Sequence, residues 1–185
     1  MNIVIISSTN REGSMSLKVS QKMEKQYKDL GAQVQVIDLR LLPSSIFQPN
    51  VYKNKPEEFQ PFIDVILQAD GVLFVVPEYN GSFPGILKYY IDMWKYPDCF
   101  ENICVAYIGI ASGQWGALRA VEHLQGVMGY RNAYQLPHRV FINSIYSRWR
   151  EGTFHTLHEK EYSVEALLLE QSQKFLSFCS AHSSR

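Results

Sequence analysis

The sequence predicts an α/β domain over residues 1–185, built as a doubly wound five-stranded parallel sheet with helices on both faces. Three observations lead there. Short apolar runs rich in Val and Ile do not alternate with polar residues, which suits strands buried on both sides. Apolar residues recur between these runs at spacings of three and four, the period of an amphipathic helix. Strand and helix alternate along the chain without a Gly/Ser linker, internal repeat or low-complexity tract, the order expected of a parallel sheet with crossover helices.

In chain order, the strands are expected at residues 3–6, 34–37, 72–76, 103–110 and 139–142. The first helix is marked by Val19, Met23, Tyr27 and Leu30, with Gly31 as a stop signal. Phe59, Phe62, Ile63 and Ile66 mark the second, and Ile86, Leu87, Tyr90, Ile91 and Trp94 the third. Ala117, Val121, Leu124 and Met128 mark the fourth, and Val164, Leu168, Phe175 and Cys179 the fifth. Residues 143–160 match no motif.

The 185 residues carry 18 Lys+Arg and 18 Asp+Glu. That balance argues against a partner held by bulk electrostatics, so neither nucleic acid nor a membrane surface is expected. Charge is nevertheless uneven. Residues 50–101 hold 4 basic and 8 acidic side chains, whereas residues 102–149 hold 4 basic and 1 acidic. Cys99, Cys104 and Cys179 have no CxxC spacing and make neither a disulfide framework nor a zinc site. His155, His158 and Glu159 do not form HExxH, so no metal is expected. The N-terminus has no basic region ahead of a long apolar stretch, which points to a cytoplasmic protein.

In a doubly wound sheet ligands sit beyond the carboxyl ends of the strands, so the loops there carry the functional reading. The first, residues 7–16, leaves a buried strand for a helix with five hydroxyls and Arg11. It can cradle a phosphate through hydroxyls, backbone N–H groups and a guanidinium, or serve as an ordinary helix N-cap. Neither a Walker pattern nor GxGxxG is present. The second, residues 77–88, combines two prolines and two glycines past the strand with Tyr79 and Phe83. It suits a flat heteroaromatic ring, or a rigid turn plugged by an aromatic. The third, residues 111–120, holds Gly113 and Gly116, which let backbone approach a ligand, and Ser112 and Gln114, which can bond its edge, although a glycine-containing strand-to-helix turn needs no ligand to explain it. Three such loops on successive strands favour a phosphate-bearing flat ligand.

These segments resemble the NADPH-dependent FMN reductases, a flavodoxin-like group that includes quinone, chromate and azo-dye reductases. The resemblance covers roughly residues 1–142. Thr9, Arg11 and Ser14 match the family's phosphate stretch, with Ser8 in place of a glycine and Ser16 in place of an asparagine. Pro77-Glu78-Tyr79-Asn80-Gly81-Ser82, followed by Pro84 and Leu87-Lys88, matches its most specific stretch intact. Ser112, Gly116, Arg119 and Ala120 match the third, where Ala117 replaces a second glycine.

The resemblance implies that Thr9, Arg11, Ser14 and Ser16 hold the FMN phosphate, and that Pro77, Glu78, Tyr79, Asn80 and Gly81, with Ser112, Gly113, Gln114 and Gly116, surround the rest of the cofactor. It implies NAD(P)H as co-substrate and ping-pong reduction of a quinone, azo dye, metal oxyanion or free flavin. No side-chain acid, base or nucleophile is needed for hydride transfer, so no catalytic side chain is assigned. A backbone N–H from residues 78–80 would stabilise the reduced flavin. The basic stretch with Arg119, together with Arg11, is expected to face the FMN and NADPH phosphates.

A flavin-binding electron carrier or redox-responsive binding module with little turnover is the alternative, disfavoured because flavodoxin-type carriers are usually strongly acidic and lack the stretch Pro77 to Ser82. A hydrolase using the serine-rich loop lacks a GxSxG elbow. Aromatics on several faces of residues 87–96 suggest a homodimer, which the family also implies, alone or paired as a dimer of dimers. Burying one such ring stabilises by about 2 kcal/mol.

Overall fold

The computed structural model describes residues 1–159 and 161–182. Its strands are β1 (Asn2–Ser7), β2 (Gln33–Asp38), β3 (Gly71–Pro77), β4 (Cys104–Ile110), β5 (Tyr134–Gln135) and β6 (Val140–Ile142). Strand order is β2-β1-β3-β4, with β5 and β6 both pairing in parallel with β4. The two short strands thus share the fifth position of a doubly wound sheet. The fifth strand was expected only at residues 139–142. It is divided because Pro137, lying between the two pieces, has no N–H to give to a ladder.

Side chains alternate between two cores. Val4, Ile6, Val72, Phe74, Val76, Val105 and Tyr107 face one side of the sheet, where α2 (Gln60–Leu67), α3 (Gly85–Asp92) and α4 (Leu118–Tyr130) cover them. Ile3, Ile5, Leu73, Val75, Ala106 and Ile108 face the other, beneath α1 (Met15–Asp29) and the C-terminal α6 (Val164–His182). Burial on both faces explains why these runs read as continuous apolar segments.

Some helix boundaries differ from the periodic reading. Phe59 ends a short 3₁₀ turn ahead of α2, Trp94 lies past the end of α3, and Ala117 precedes α4. Residues 143–160, which match no motif, contain the one-turn α5 (Ile145–Arg148) and a hairpin of β7 (Trp149–Arg150) with β8 (Thr153–Phe154). The aromatic helix is also less open than its composition suggests. Tyr90 and Trp94 are buried, and Tyr89 packs against Phe47 at 5.0 Å and donates its hydroxyl to the Ile46 carbonyl. Tyr96 stays 57% exposed.

Candidate functional site

From β1 the chain moves to β2 on one side and reaches β3 on the other. The loops leaving β1 and β3 therefore part at the carboxyl edge, which opens a crevice at this switch point. A hydrogen bond crosses it, with Thr9 Oγ1 and Tyr79 OH 2.8 Å apart. Thr9 Oγ1 also accepts from the Arg11 N–H at 3.3 Å. Ser14 is the N-cap of α1, its hydroxyl accepting from the Leu17 N–H at 3.3 Å. Capping uses the oxygen as acceptor, so the Ser14 proton stays available to a ligand.

The second loop is a tight hairpin. Tyr79 and Ser82 exchange backbone hydrogen bonds of 2.8 and 3.1 Å across Asn80 and Gly81, whose φ values of 52° and 78° are left-handed. Asn-Gly is the pair that meets this demand, because Gly lacks a Cβ and Asn tolerates positive φ. Ser82 Oγ lies 3.0 Å from His123 Nδ1 on α4, which ties the hairpin to the helix. Among the described residues, the Asn80 and Gly81 N–H groups have no backbone acceptor.

In the third loop Ala117 has φ 67° and ψ 29° and is fully buried. An L-residue there bears about 1–2 kcal/mol of strain, while its buried methyl returns about 0.8 kcal/mol. A glycine would also lose more freedom on folding. Ala117→Gly is therefore expected to change stability by less than about 1 kcal/mol in thermal unfolding. A larger loss would show that the methyl contact dominates. Gly116 packs against the Phe141–Ile142 backbone, Gly113 accepts from the Ser144 N–H at 3.4 Å, and the Gln114 carbonyl accepts from Asn143 Nδ2 at 3.3 Å.

The structure brings Arg11, Ser14, Ser16, Pro77, Glu78, Tyr79 and Ser112 around one cleft of about 110 Å³. Met15, Ile110, Ala111, Ile145 and Tyr146 complete its wall. Gly81, with Glu78, lines a neighbouring hollow of about 410 Å³ whose other walls are Trp115, Leu118 and Arg119. Asn80, Gly113, Gln114 and Gly116 line neither, and Thr9 acts through its bond to Tyr79. Arg11 and Arg119, grouped by charge in the sequence, thus face different hollows that share Glu78.

Ile145 and Tyr146 had no sequence signal, because they follow β6 in a segment without a motif. Arg148, at the end of the same helical turn, anchors Asn143 ahead of them. Only 3% exposed, it donates to the Asn143 carbonyl at 2.9 Å, to Asn143 Oδ1 and to both Glu161 carboxylate oxygens. The Arg148 guanidinium and the Leu157 N–H lower the Glu161 pKa to about 2.

Ser16 supports the phosphate reading. It is 1% exposed, lines the cleft, and its hydroxyl has no hydrogen-bond partner. A buried donor left unmade costs about 1–3 kcal/mol, and a phosphate oxygen beside Arg11 would satisfy it. The residues therefore fit the phosphate end of FMN.

Residues 1–147 match the family model described as NADPH-dependent FMN reductase. The NADH:(hydroxy)cinnamate reductase subunit CrdA of Vibrio ruber is 30% identical over 129 residues, covering 69% of this chain and 62% of the relative. The 2-hydroxy-1,4-benzoquinone reductase of Burkholderia sp is 35% identical over 97 residues, covering 51% and 52%. The chain thus spans roughly half to three-fifths of the length of these curated relatives. The fold is shared with FerB, a flavoenzyme NAD(P)H:(acceptor) oxidoreductase of Paracoccus denitrificans, at TM-score 0.79 and 21% identity over 98% of both chains. The switch-point crevice, the cleft lined by Arg11, Ser14 and Ser16, and the intact second loop coincide with a family match over most of the sequence, and the chain belongs to the NADPH-dependent FMN reductase family.

Proposed function

We propose that the protein is an FMN-dependent NAD(P)H oxidoreductase that reduces a quinone-type acceptor by a ping-pong mechanism. The observation that carries this reading is the orphaned, buried Ser16 hydroxyl in a cleft also lined by Arg11 and Ser14. The net reaction balances as NAD(P)H, a proton and a quinone giving NAD(P)⁺ and a hydroquinone. FMN, once bound, supplies two-electron chemistry between nicotinamide and acceptor.

The chain's own residues hold and orient. Arg11, Ser14 and Ser16 bind the phosphate, with charge-assisted hydrogen bonds from the guanidinium. The Asn80–Gly81 turn leaves two N–H groups unused by the backbone, and these are available to neutralise charge at a ring edge. Nicotinamide leaves before the acceptor enters, since both need the same exposed face. The names of the relatives, a hydroxybenzoquinone reductase and a (hydroxy)cinnamate reductase subunit, support an aromatic acceptor. Among the described residues no helix is long and apolar enough to cross a membrane.

Anaerobic NADPH added to the FMN-loaded protein should bleach the flavin band rapidly. Slow bleaching would favour an electron carrier, and protein that fails to take up FMN would sink both readings. Arg11→Ala should weaken FMN binding roughly 10- to 100-fold, from loss of a charged hydrogen bond. Fluorescence titration with FMN measures this, and an unchanged affinity would remove Arg11 from the phosphate site. We also propose a homodimer through the α3–α4 face, where Trp94, Tyr96, Phe100 and Tyr130 line a hollow of about 540 Å³. A monomer mass in gel filtration at micromolar concentration would end that proposal.

A further inference from the structure

The hairpin of residues 149–154 takes no part in the proposed reaction, yet the fold holds it firmly against α1. Its two-residue turn, Glu151–Gly152, carries φ values of 50° and 82°, the left-handed pair that a tight hairpin requires. Glu165 of α6 accepts from the Phe154 N–H at 2.8 Å with one carboxylate oxygen and pairs with Lys22 of α1 at 2.9 Å through the other. Between hairpin and helix lies a hollow of about 470 Å³, where Lys18, Lys22, Lys25 and Asp29 face Trp149 and Gly152. That volume lies within the roughly 300–1,000 Å³ typical of small-molecule sites. The hollow shares no lining residue with the cleft around Arg11, the hollow around Arg119 or the α3–α4 face.

Its two walls differ in chemistry. Lys18, Lys22 and Lys25 stand at i, i+4 and i+7 of α1, so their attachment points span about 10 Å at 1.5 Å per residue. That span is too long for one carboxylate and suits a chain of phosphates, which lysine serves as a point charge. Among the described residues Lys18 takes part in no ion pair. Lys25 pairs with Asp29 at 2.6 Å, but both are exposed, and a pair of that kind contributes little. On the other wall Trp149 is half-buried and meets Phe154 edge to face at 4.9 Å, which fixes the indole. Gly152 adds no side chain, and even a Cβ there would meet nothing within 4 Å, so room remains beside the ring. We propose that this hollow is a second ligand site, separate from the cleft proposed for FMN, and that it binds a nucleotide-type molecule. Trp149 stacks on the flat heteroaromatic ring, while Lys18 and Lys25 hold the polyphosphate tail. Lys22 stays committed to Glu165 and keeps the hairpin in place, and Asp29 is the opposing charge.

The test is calorimetric titration of the full chain carrying one equivalent of FMN, in metal-free buffer at low salt. The probes are ATP, with ring and charge, inorganic triphosphate, with charge alone, and adenosine, with the ring alone. ATP should bind roughly tenfold tighter than triphosphate, the gain that stacking of a base on an aromatic side chain provides, and adenosine should bind most weakly. Trp149→Leu should remove the advantage of ATP and leave triphosphate within about twofold. The double variant Lys18→Gln, Lys25→Gln should weaken both anions roughly tenfold, and Asp29→Asn should strengthen both. Arg11→Ala should change none of the three. Lys18, Lys25 and Asp29 are exposed, so their variants decide the matter even if Trp149→Leu unfolds the hairpin. ATP no tighter than triphosphate would overturn the proposal, as would loss of ATP binding in Arg11→Ala, which would place ATP in the other cleft. An oligo-aspartate peptide that binds through the same lysines more tightly than ATP would assign the hollow to an acidic protein segment instead. Absence of binding by ATP at millimolar concentration would end the proposal outright, and none of these outcomes depends on turnover.

Discussion

Gly109→Ala is expected to lower the thermal midpoint by roughly 5–10 °C, from about 2–3 kcal/mol of overpacking in a chain of this size. Gly109 lies in β4 opposite Phe141, and a Cβ there would come 2.4 Å from the Gly116 carbonyl oxygen and 2.8 Å from Phe141 Cδ1. The first of these is backbone, so no rotamer change relieves the clash. Displacing Gly116 moves the third loop, and FMN affinity should fall together with stability. Gly126 in α4 supplies a control of opposite sign, because a Cβ there meets nothing within 4 Å. Gly126→Ala should stabilise by about 0.5–1 kcal/mol. Calorimetric melts of both variants check the pair, and equal midpoints would show that the β4–loop contact relaxes freely.

Glu161→Gln should lower the midpoint at neutral pH on the order of 5 °C, because it leaves the buried Arg148 guanidinium without its counter-charge. The pH dependence gives the sharper check. The Glu161 carboxyl has its pKa lowered from 4.5 to about 2 in the folded protein, first by the hydrogen bonds from Arg148 and then by the Leu157 N–H. Its stabilisation is fully present above the unfolded value and is lost as pH falls from about 4.5 through about 2. The gap between wild type and variant should therefore be full at pH 7, smaller at pH 3, and nearly gone near pH 2. A gap independent of pH would mean that shape, not ionisation, holds Arg148. Asn143 joins this network to the Gln114 carbonyl, and Ile145 and Tyr146 line the cleft proposed for the phosphate. FMN affinity should accordingly weaken several-fold in the same variant, through positioning alone.

What the sequence determined by itself was the layered fold and the three loops at the strand ends to which the proposed site is assigned. Residues 72–76 and 103–110 were legible as strands because burial on both faces removes alternation, and α1 because its buried stripe repeats at the helical period. Asn80-Gly81 announced a turn through the one backbone conformation that this pair readily adopts. The tertiary structure decided what depends on residues far apart in the chain. Thr9 meets Tyr79 only because β1 and β3 are neighbours. Arg11 and Arg119 share a sign but face separate hollows, since net charge over a segment carries no direction. Ala117 holds a left-handed φ that no local pattern announces in an alanine. Arg148 reads as one more charged surface residue until Asn143 and Glu161 enclose it. Periodicity and turn chemistry are local and survive in one dimension, whereas a binding cleft is made by side chains brought together from separate loops, and only the packed sheet fixes which of them meet.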